Sequence, residues 1–302
     1  MGVFKKPKFL IICGVVLLAV IVLTISLIFL LQPKTVGFFG LDRENEEAVR
    51  LQALLEDRGY TVYYAEDLED LENVDCKAWI VRATSDIFAE KILERIGDKA
   101  IFVGCNPSLS QPVRFVGWDM EEAGTLLAEL LTRLPNHGDT NEDGTLSCLL
   151  LTAPEGYKEK ADWEQGLYAG LAQCQLPYVI LDTLACSLTE EAGMEATSQS
   201  LSTYGRDIEI VMVSSEVLAA GAAQAISQGG WEISEDLYLL AVGHTDYSMD
   251  ALNERQRSGL VFAPWSDFDD LLLDAVADTI DGKSPQEYLL PLKLYTNTSA
   301  LQ

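Results

Sequence analysis

The stretch TVGFFGLDRENEEAVRLQALLEDRGYTVYYA, residues 35–65, decides the fold class. It opens on an apolar run, TVGFFG (35–40). Val49, Leu51, Leu54 and Leu55 then recur on a helical period between Asn45 and Glu56. Gly59 ends that pattern, and TVYYA (61–65) is apolar again. Strand, helix and strand within about 30 residues make a βαβ unit. The same alternation continues outward. KAWIVRA (77–83), AIFVG (100–104) and RFVGW (114–118) read as strands, with helices near 86–96 and 120–134. These runs are apolar nearly throughout, as strands are when helices cover both faces of a sheet. PNHGDTNEDG (135–144) has no hydrophobic position and reads as a linker or exposed loop. The pattern restarts at LSCLLL (146–151). Strands follow at 177–183, 208–213, 236–243 and 258–263, with helices at 159–173, 188–202, 215–228 and 246–254. A helix at 267–281 and a last strand near 289–296 close the chain. The order predicts an α/β protein of two parallel, doubly wound units, whose ligand would sit between them beyond the C-terminal strand ends.

Charge divides the 302 residues unevenly. There are 21 Lys+Arg against 47 Asp+Glu, a net of −26. Residues 1–34 hold four lysines (Lys5, Lys6, Lys8, Lys34) and no acid, which leaves the body at −30. Such a body is unsuited to phosphate backbones, so nucleic acid is excluded as a partner. Residues 9–31, FLIICGVVLLAVIVLTISLIFLL, carry no charge over 23 residues. As a helix they would reach about 35 Å, enough to cross a membrane. Lysines before the run place a stub, 1–8, in the cytoplasm and the body outside. A cleaved signal peptide is the competing reading, but its apolar region would be shorter and end in small residues, unlike Leu31-Gln32-Pro33-Lys34.

Six cysteines (13, 76, 105, 148, 174, 186) include no CxxC pair, so metal spacing is absent. Cys13 reads as a residue of the apolar helix. The others read as buried thiols, with a Cys174–Cys186 disulfide as the alternative for that pair. Only His137 and His244 are present; the first lies in the hydrophilic loop, the second at a strand end where functional residues gather. No nucleophile elbow, P-loop or dinucleotide glycine motif occurs, so neither an enzyme nor a cofactor is expected. The acidic run Glu66–Glu72 reads as a solvated helical face. Ser266–Asp270 reads as a helix cap with first-turn acids.

Four segments carry a family resemblance: FVGWDMEEAGTLLAELL (115–131), IVMVSSEVLAAGAAQAI (210–226), LYLLAVGHTDY (237–247) and GKSPQEYLLPLKLYT (282–296). Together they resemble the type I periplasmic sugar-binding proteins (ribose- and galactose-binding-like), whose core is shared with lactose-repressor-like regulators. The resemblance implies two lobes joined by three crossings: 35–137 with 264–288, and 138–263 with 289–302. It implies a small-molecule ligand, a sugar or other polar metabolite, and a membrane permease or sensor as partner. It also assigns ligand positions. Asp42 and Arg43 follow the first strand, without the family's paired aromatics. Asn106 stands where an Asp-Arg pair is usual, and Trp163 where an arginine is. Ser214 and Ser215 replace an Asn/Asp pair, His244 an aspartate, and Ala263 a glutamine, beside Pro264 and Trp265. Asp119 is expected to cap its helix. With the polar set so altered, two readings stand: a cleft for a different ligand, or a binding-protein fold retained as an envelope interaction scaffold.

Overall fold

The computed structural model describes residues 34–104, 106–155 and 158–297. The expected stub and apolar span, Cys13 and Cys105 lie outside them. No helix among the described residues is long and apolar enough to cross a membrane. The chain runs β1 (Thr35–Phe39), α1 (Glu46–Asp57), β2 (Thr61–Tyr64), α2 (Asp70–Asn73), β3 (Ala78–Val81), α3 (Asp86–Ile96), β4 (Ala100–Val103), β5 (Arg114–Gly117) and α4 (Met120–Leu131). It continues through β6 (Leu146–Thr152), α5 (Lys158–Cys174), β7 (Tyr178–Ala185), α6 (Glu190–Tyr204), β8 (Ile210–Val213), α7 (Glu216–Gln228), β9 (Tyr238–Gly243) and α8 (Asp246–Asn253). Then come β10 (Gly259–Phe262), α9 (Trp265–Ile280), β11 (Glu287–Leu289) and β12 (Lys293–Thr296).

Two six-stranded sheets result, ordered β11-β5-β4-β3-β1-β2 and β12-β10-β9-β8-β6-β7. The first is parallel throughout. The second is parallel except at β12, which runs antiparallel to β10. The single last strand expected near 289–296 is therefore two strands, one for each sheet, separated at Pro291. Successive strand residues point to opposite faces. In the second sheet Cys148, Leu150 and Met212 face α4 and α5, whereas Leu149, Leu151 and Val213 face α7 and α8. In the first, Phe38, Ile80 and Ile101 pack with α1 and α9, and Trp79, Val81 and Phe102 with α3. Each fully buried Leu or Ile contributes about 2 kcal/mol by leaving water.

The position of α4 corrects the expected boundary at 137. Although α4 follows β5 of the first sheet, its Leu127, Leu130 and Leu131 are buried in the second sheet's core. Glycines let it lie flush on α5: a Cβ at Gly166 would stand 1.8 Å from Glu121 O, and one at Gly124 2.2 Å from Trp163 O. The chain thus first crosses at Trp118–Asp119. It crosses back at Ala263–Pro264, since α9 packs on the first sheet, and crosses again at Pro291.

Other expectations are corrected locally. Of the two readings of residues 135–144, the exposed loop holds and the linker between lobes does not. These residues form a 3-10 turn (Pro135–Gly138) and a loop bonded to Glu209 just before β8, all within the second sheet's unit. The acidic run forms only the short α2, with Asp67 and Asp70 accepting N–H groups of their own turn. Pro264, not Ser266, stands at the N-cap of α9. Cys174 and Cys186 are free thiols on opposite faces of the second sheet, so no disulfide joins them.

Candidate functional site

Strand C-termini and helix N-termini of both sheets meet at one cleft, because each βα connection there is short. The caps show the same arrangement: Asp119, Ser215 and Ser85 side chains accept the N–H of Glu122, Leu218 and Phe88. Between the sheets lies a cavity of about 390 Å³. The first sheet's side supplies Arg82, Thr84, Gly104 and Trp118, and the second's supplies Ala153, Ser214, Ser215, Glu216 and His244. A side hollow of about 190 Å³ shares Gly104, Trp118 and Met120 and adds Asn106 and Lys158. A larger hollow, about 720 Å³, lies on the second unit's outer face between α7, α8 and residues 231–235. It draws on one sheet only and lies away from the strand ends where this architecture binds ligands.

Glu216 organises the second wall. It is 8% exposed. Its Oε2 accepts from the Thr245 hydroxyl at 2.9 Å, the backbone N–H groups of His244 and Thr245 at 3.2 Å, and the Ser248 hydroxyl. Its Oε1 lies 3.1 Å from His244 Nε2. Arg257, fully buried, donates to Ser248 Oγ and to the Glu216 carbonyl. Burial alone would push the Glu216 carboxyl up; His244, Ser248, Thr245 and the backbone donors outweigh it and hold the group below its ordinary range. Burial lowers the His244 pKa, more than Glu216 and Glu47 raise it, with Arg50 and Arg257 adding to the decrease. The imidazole is therefore neutral near pH 7. Since a carboxylate only accepts, Nε2 carries its hydrogen. The ring sits 4.8 Å from Trp118, which stacks on Phe268 at 6.0 Å and 16°. On the first wall, Arg82 Nη2 pairs with Glu47 at 2.7 Å.

Of the positions taken from the sequence, Ser214, Ser215 and His244 line the cavity. Asn106 lines the side hollow and donates to Glu287 at 2.8 Å. Asp42 and Arg43 line neither. Asp42 accepts the Glu44 N–H in its own turn, and Arg43 lies over the Tyr64 ring at 4.9 Å. Trp163 is fully buried in the second sheet's core, beneath α4. An indole on the face of α5 turned toward that sheet is a core residue, so the arginine's role does not pass to it. Trp265 opens α9, and its side chain lies outside the description. Arg82, Thr84, Trp118, Met120 and Glu216 were not among the expected positions. Their signal is place: Arg82 and Trp118 directly follow β3 and β5, a strand-end rule applicable without any motif.

Asp139, Asn141 and Asp143 before Gly144 follow a calcium-loop spacing. Here each accepts a backbone N–H of the loop, and buried Glu209 accepts from Thr140, Asn141 and Ser147. Among the described residues no group of three or more His, Cys, Asp or Glu is placed to hold a metal.

No family model and no curated protein sequence matches the chain. Solved structures do. A galactofuranose-binding protein superimposes with a TM-score of 0.76 at 17% identity, over 89% of this chain and 96% of that one. The fold is that of the two-lobed periplasmic binding proteins. The arabinose-transporter binding protein of Shewanella sp. ANA-3, bound to α- and β-L-arabinofuranose, gives 0.74 at 17% identity, with 89% and 93% covered. A XylFII–LytSN complex gives 0.71 at 13% identity, with 88% and 99% covered. The first two are sugar-binding proteins, not enzymes. At these identities the likeness is one of fold.

Proposed function

We propose that this chain is a membrane-anchored extracellular solute-binding protein, which captures a small ligand between two lobes for a transport or sensing partner. Lobe one comprises 35–118 and 264–290; lobe two comprises 119–263 and 291–297. The carrying observation is the cavity of about 390 Å³ walled from both sheets, with Arg82 and Trp118 facing Ser214 and His244. Closing two lobes on a bound molecule removes both walls from water and links affinity to lobe angle. Residues 9–31 supply the anchor and the lysines before them its orientation. The binding of furanoses by structural neighbours supports a small-molecule ligand, and the XylFII–LytSN complex supports a protein partner.

Differential scanning fluorimetry of the full chain in detergent, against sugars, nucleosides and polyols, tests the capture. A ligand-dependent rise in Tm that Ser214→Ala or Arg82→Ala diminishes is the expected result. A second reading, a scaffold without ligand, draws on the Arg82–Glu47 and His244–Glu216 pairs, which already satisfy each other. Silence across the library would favour it. Anchoring is tested separately: the full chain should sediment with membranes, and deletion of 9–31 should abolish that.

A further inference from the structure

The cavity walls specify the chemical class of the ligand, an inference that rests on the capture reading above. A monosaccharide brings several hydroxyls, each both donor and acceptor, and each one buried without a partner weakens binding. Its site needs several uncommitted carboxylates, amides or guanidinium groups. Here Glu216, Arg82 Nη2 and the Asn106 amide are engaged elsewhere, and Glu159 is the one further carboxylate lining the cavity among the described residues. Glu216 commits both oxygens within its own lobe. Arg82 commits Nη2 to Glu47, and Asn106 gives its amide to Glu287 in the side hollow. Ser215 Oγ accepts the Leu218 N–H as the cap of α7. Ser214 is different: it is 6% exposed, its Oγ has no hydrogen-bond partner, and it lines the cavity.

The remaining walls are flat or apolar. Trp118, in ring contact with both His244 and Phe268, lines the cavity, joined there by Met120, Leu188 and Val242. A second plane is the Arg82 guanidinium. It is braced by Glu47 and lies against Gly104, whose φ of +81° would strain any residue with a side chain. Indole and guanidinium planes bind aromatic faces by stacking, and a thioether suits the same surface. The cleft also contains the carboxylates of Glu159 and Glu216, within a chain of net charge −26, which disfavours an anion.

The geometry points to a planar, uncharged heterocycle of nucleobase or nucleoside size, stacked on Trp118 and Arg82, with a ring nitrogen or carbonyl oxygen bonded to the Ser214 hydroxyl. About 390 Å³ is room for a base with or without a pentose.

Calorimetric titration of the full chain in detergent with adenine, adenosine, uridine, AMP, D-galactose and L-arabinose tests this. At least one uncharged heterocycle should bind about tenfold or more tightly than either sugar, and AMP should bind more weakly than adenosine. Ser214→Ala should weaken the heterocycle about fivefold, one hydrogen bond's worth. Trp118→Ala should weaken it about tenfold or more, a stacking contact's worth. If Trp118→Ala does not fold, Trp118→Phe, which keeps an aromatic face, should lose less than Ser214→Ala does. A sugar that binds more tightly than every heterocycle overturns the ligand class and leaves capture standing. Heterocycle binding indifferent to Ser214→Ala and to the Trp118 variants overturns the site. Silence from all six probes overturns the ligand class, while the capture reading falls only if the wider library of sugars, nucleosides and polyols is silent too.

Discussion

Replacing Glu216 by glutamine probes the buried network that holds His244. The carboxylate accepts two hydroxyls, two backbone N–H groups and the imidazole Nε2–H. Glutamine has the same shape but one acceptor oxygen and no charge. If that oxygen stays with Thr245 and Ser248, its NH2 meets the Nε2–H donor to donor. His244 must then move its hydrogen to Nδ1 or turn away. A neutral hydrogen bond contributes about 1 kcal/mol and a charge-assisted one about twice that. Losing the charge-assisted increment over the two hydroxyls and the imidazole comes to about 2–3 kcal/mol. Glu216→Ala leaves buried donors with no acceptor and should cost about 3–5 kcal/mol. Urea unfolding of the full chain would read either as a lower midpoint at unchanged slope. The pH dependence gives a second check. The folded carboxyl sits below its ordinary value, so its stabilisation is present above the unfolded value near 4.5 and is lost as pH falls through the folded one. The gap between wild type and Glu216→Gln should therefore narrow only as pH falls below about 4.5; between pH 6.5 and 5 it should hold or widen, because Glu216 raises the folded His244 pKa and the variant lacks that support. A gap under about 0.5 kcal/mol at pH 7, or one that does not narrow below pH 4.5, would refute the reasoning.

Further outcomes follow from the same structure. Gly166→Ala should destabilise by about 1–3 kcal/mol, because its Cβ would meet the Glu121 carbonyl at 1.8 Å, outweighing the gain of about 1 kcal/mol in helix propensity; a raised Tm would contradict this. Burial pushes the Cys148 thiol up to about 12 and the Cys76 thiol to about 11. Iodoacetamide at pH 8 should therefore leave both unmodified in the native chain and alkylate both in urea, as mass spectrometry of the peptides would show. The folded His244 pKa lies below the unfolded value of about 6.5, so above that pH both states are neutral and its contribution is complete. As pH falls below it, the unfolded state binds the proton first and stability declines. His244→Gln should flatten the loss of urea midpoint between pH 6.5 and 5; an equal loss would place the titration elsewhere.

Much of the fold is legible because near-continuous apolar strands alternate with amphipathic helices, a pattern that specifies layers. Less legible is which layer a helix joins. α4 follows a strand of the first sheet and reads as its partner, but Gly166 and Gly124 let it lie flush on α5. Close approach between helices is a tertiary property, and no period in either helix encodes it. The site divides in the same way. Ser214 and His244 stand at strand ends that sequence order locates. Trp163 matched a family position yet lies in the core, because the side of a helix that faces a ligand depends on its rotation. Glu216 looks like an ordinary first-turn acid; its role depends on Thr245 and Ser248, some 30 residues later in the chain.

The three crossings differ in stiffness. Those at Pro264 and Pro291 each carry a residue whose φ is locked by its ring, while Gly117-Trp118-Asp119 carries none. Bending between the lobes would therefore concentrate at the first crossing, and Trp118 is both a link in that crossing and a wall of the cavity. A ligand pressed against the indole would act on the pivot itself, as a load applied at the fulcrum of a lever and not at its arm. Occupancy would then be expressed as lobe angle, legible to a partner that touches only the outer surfaces.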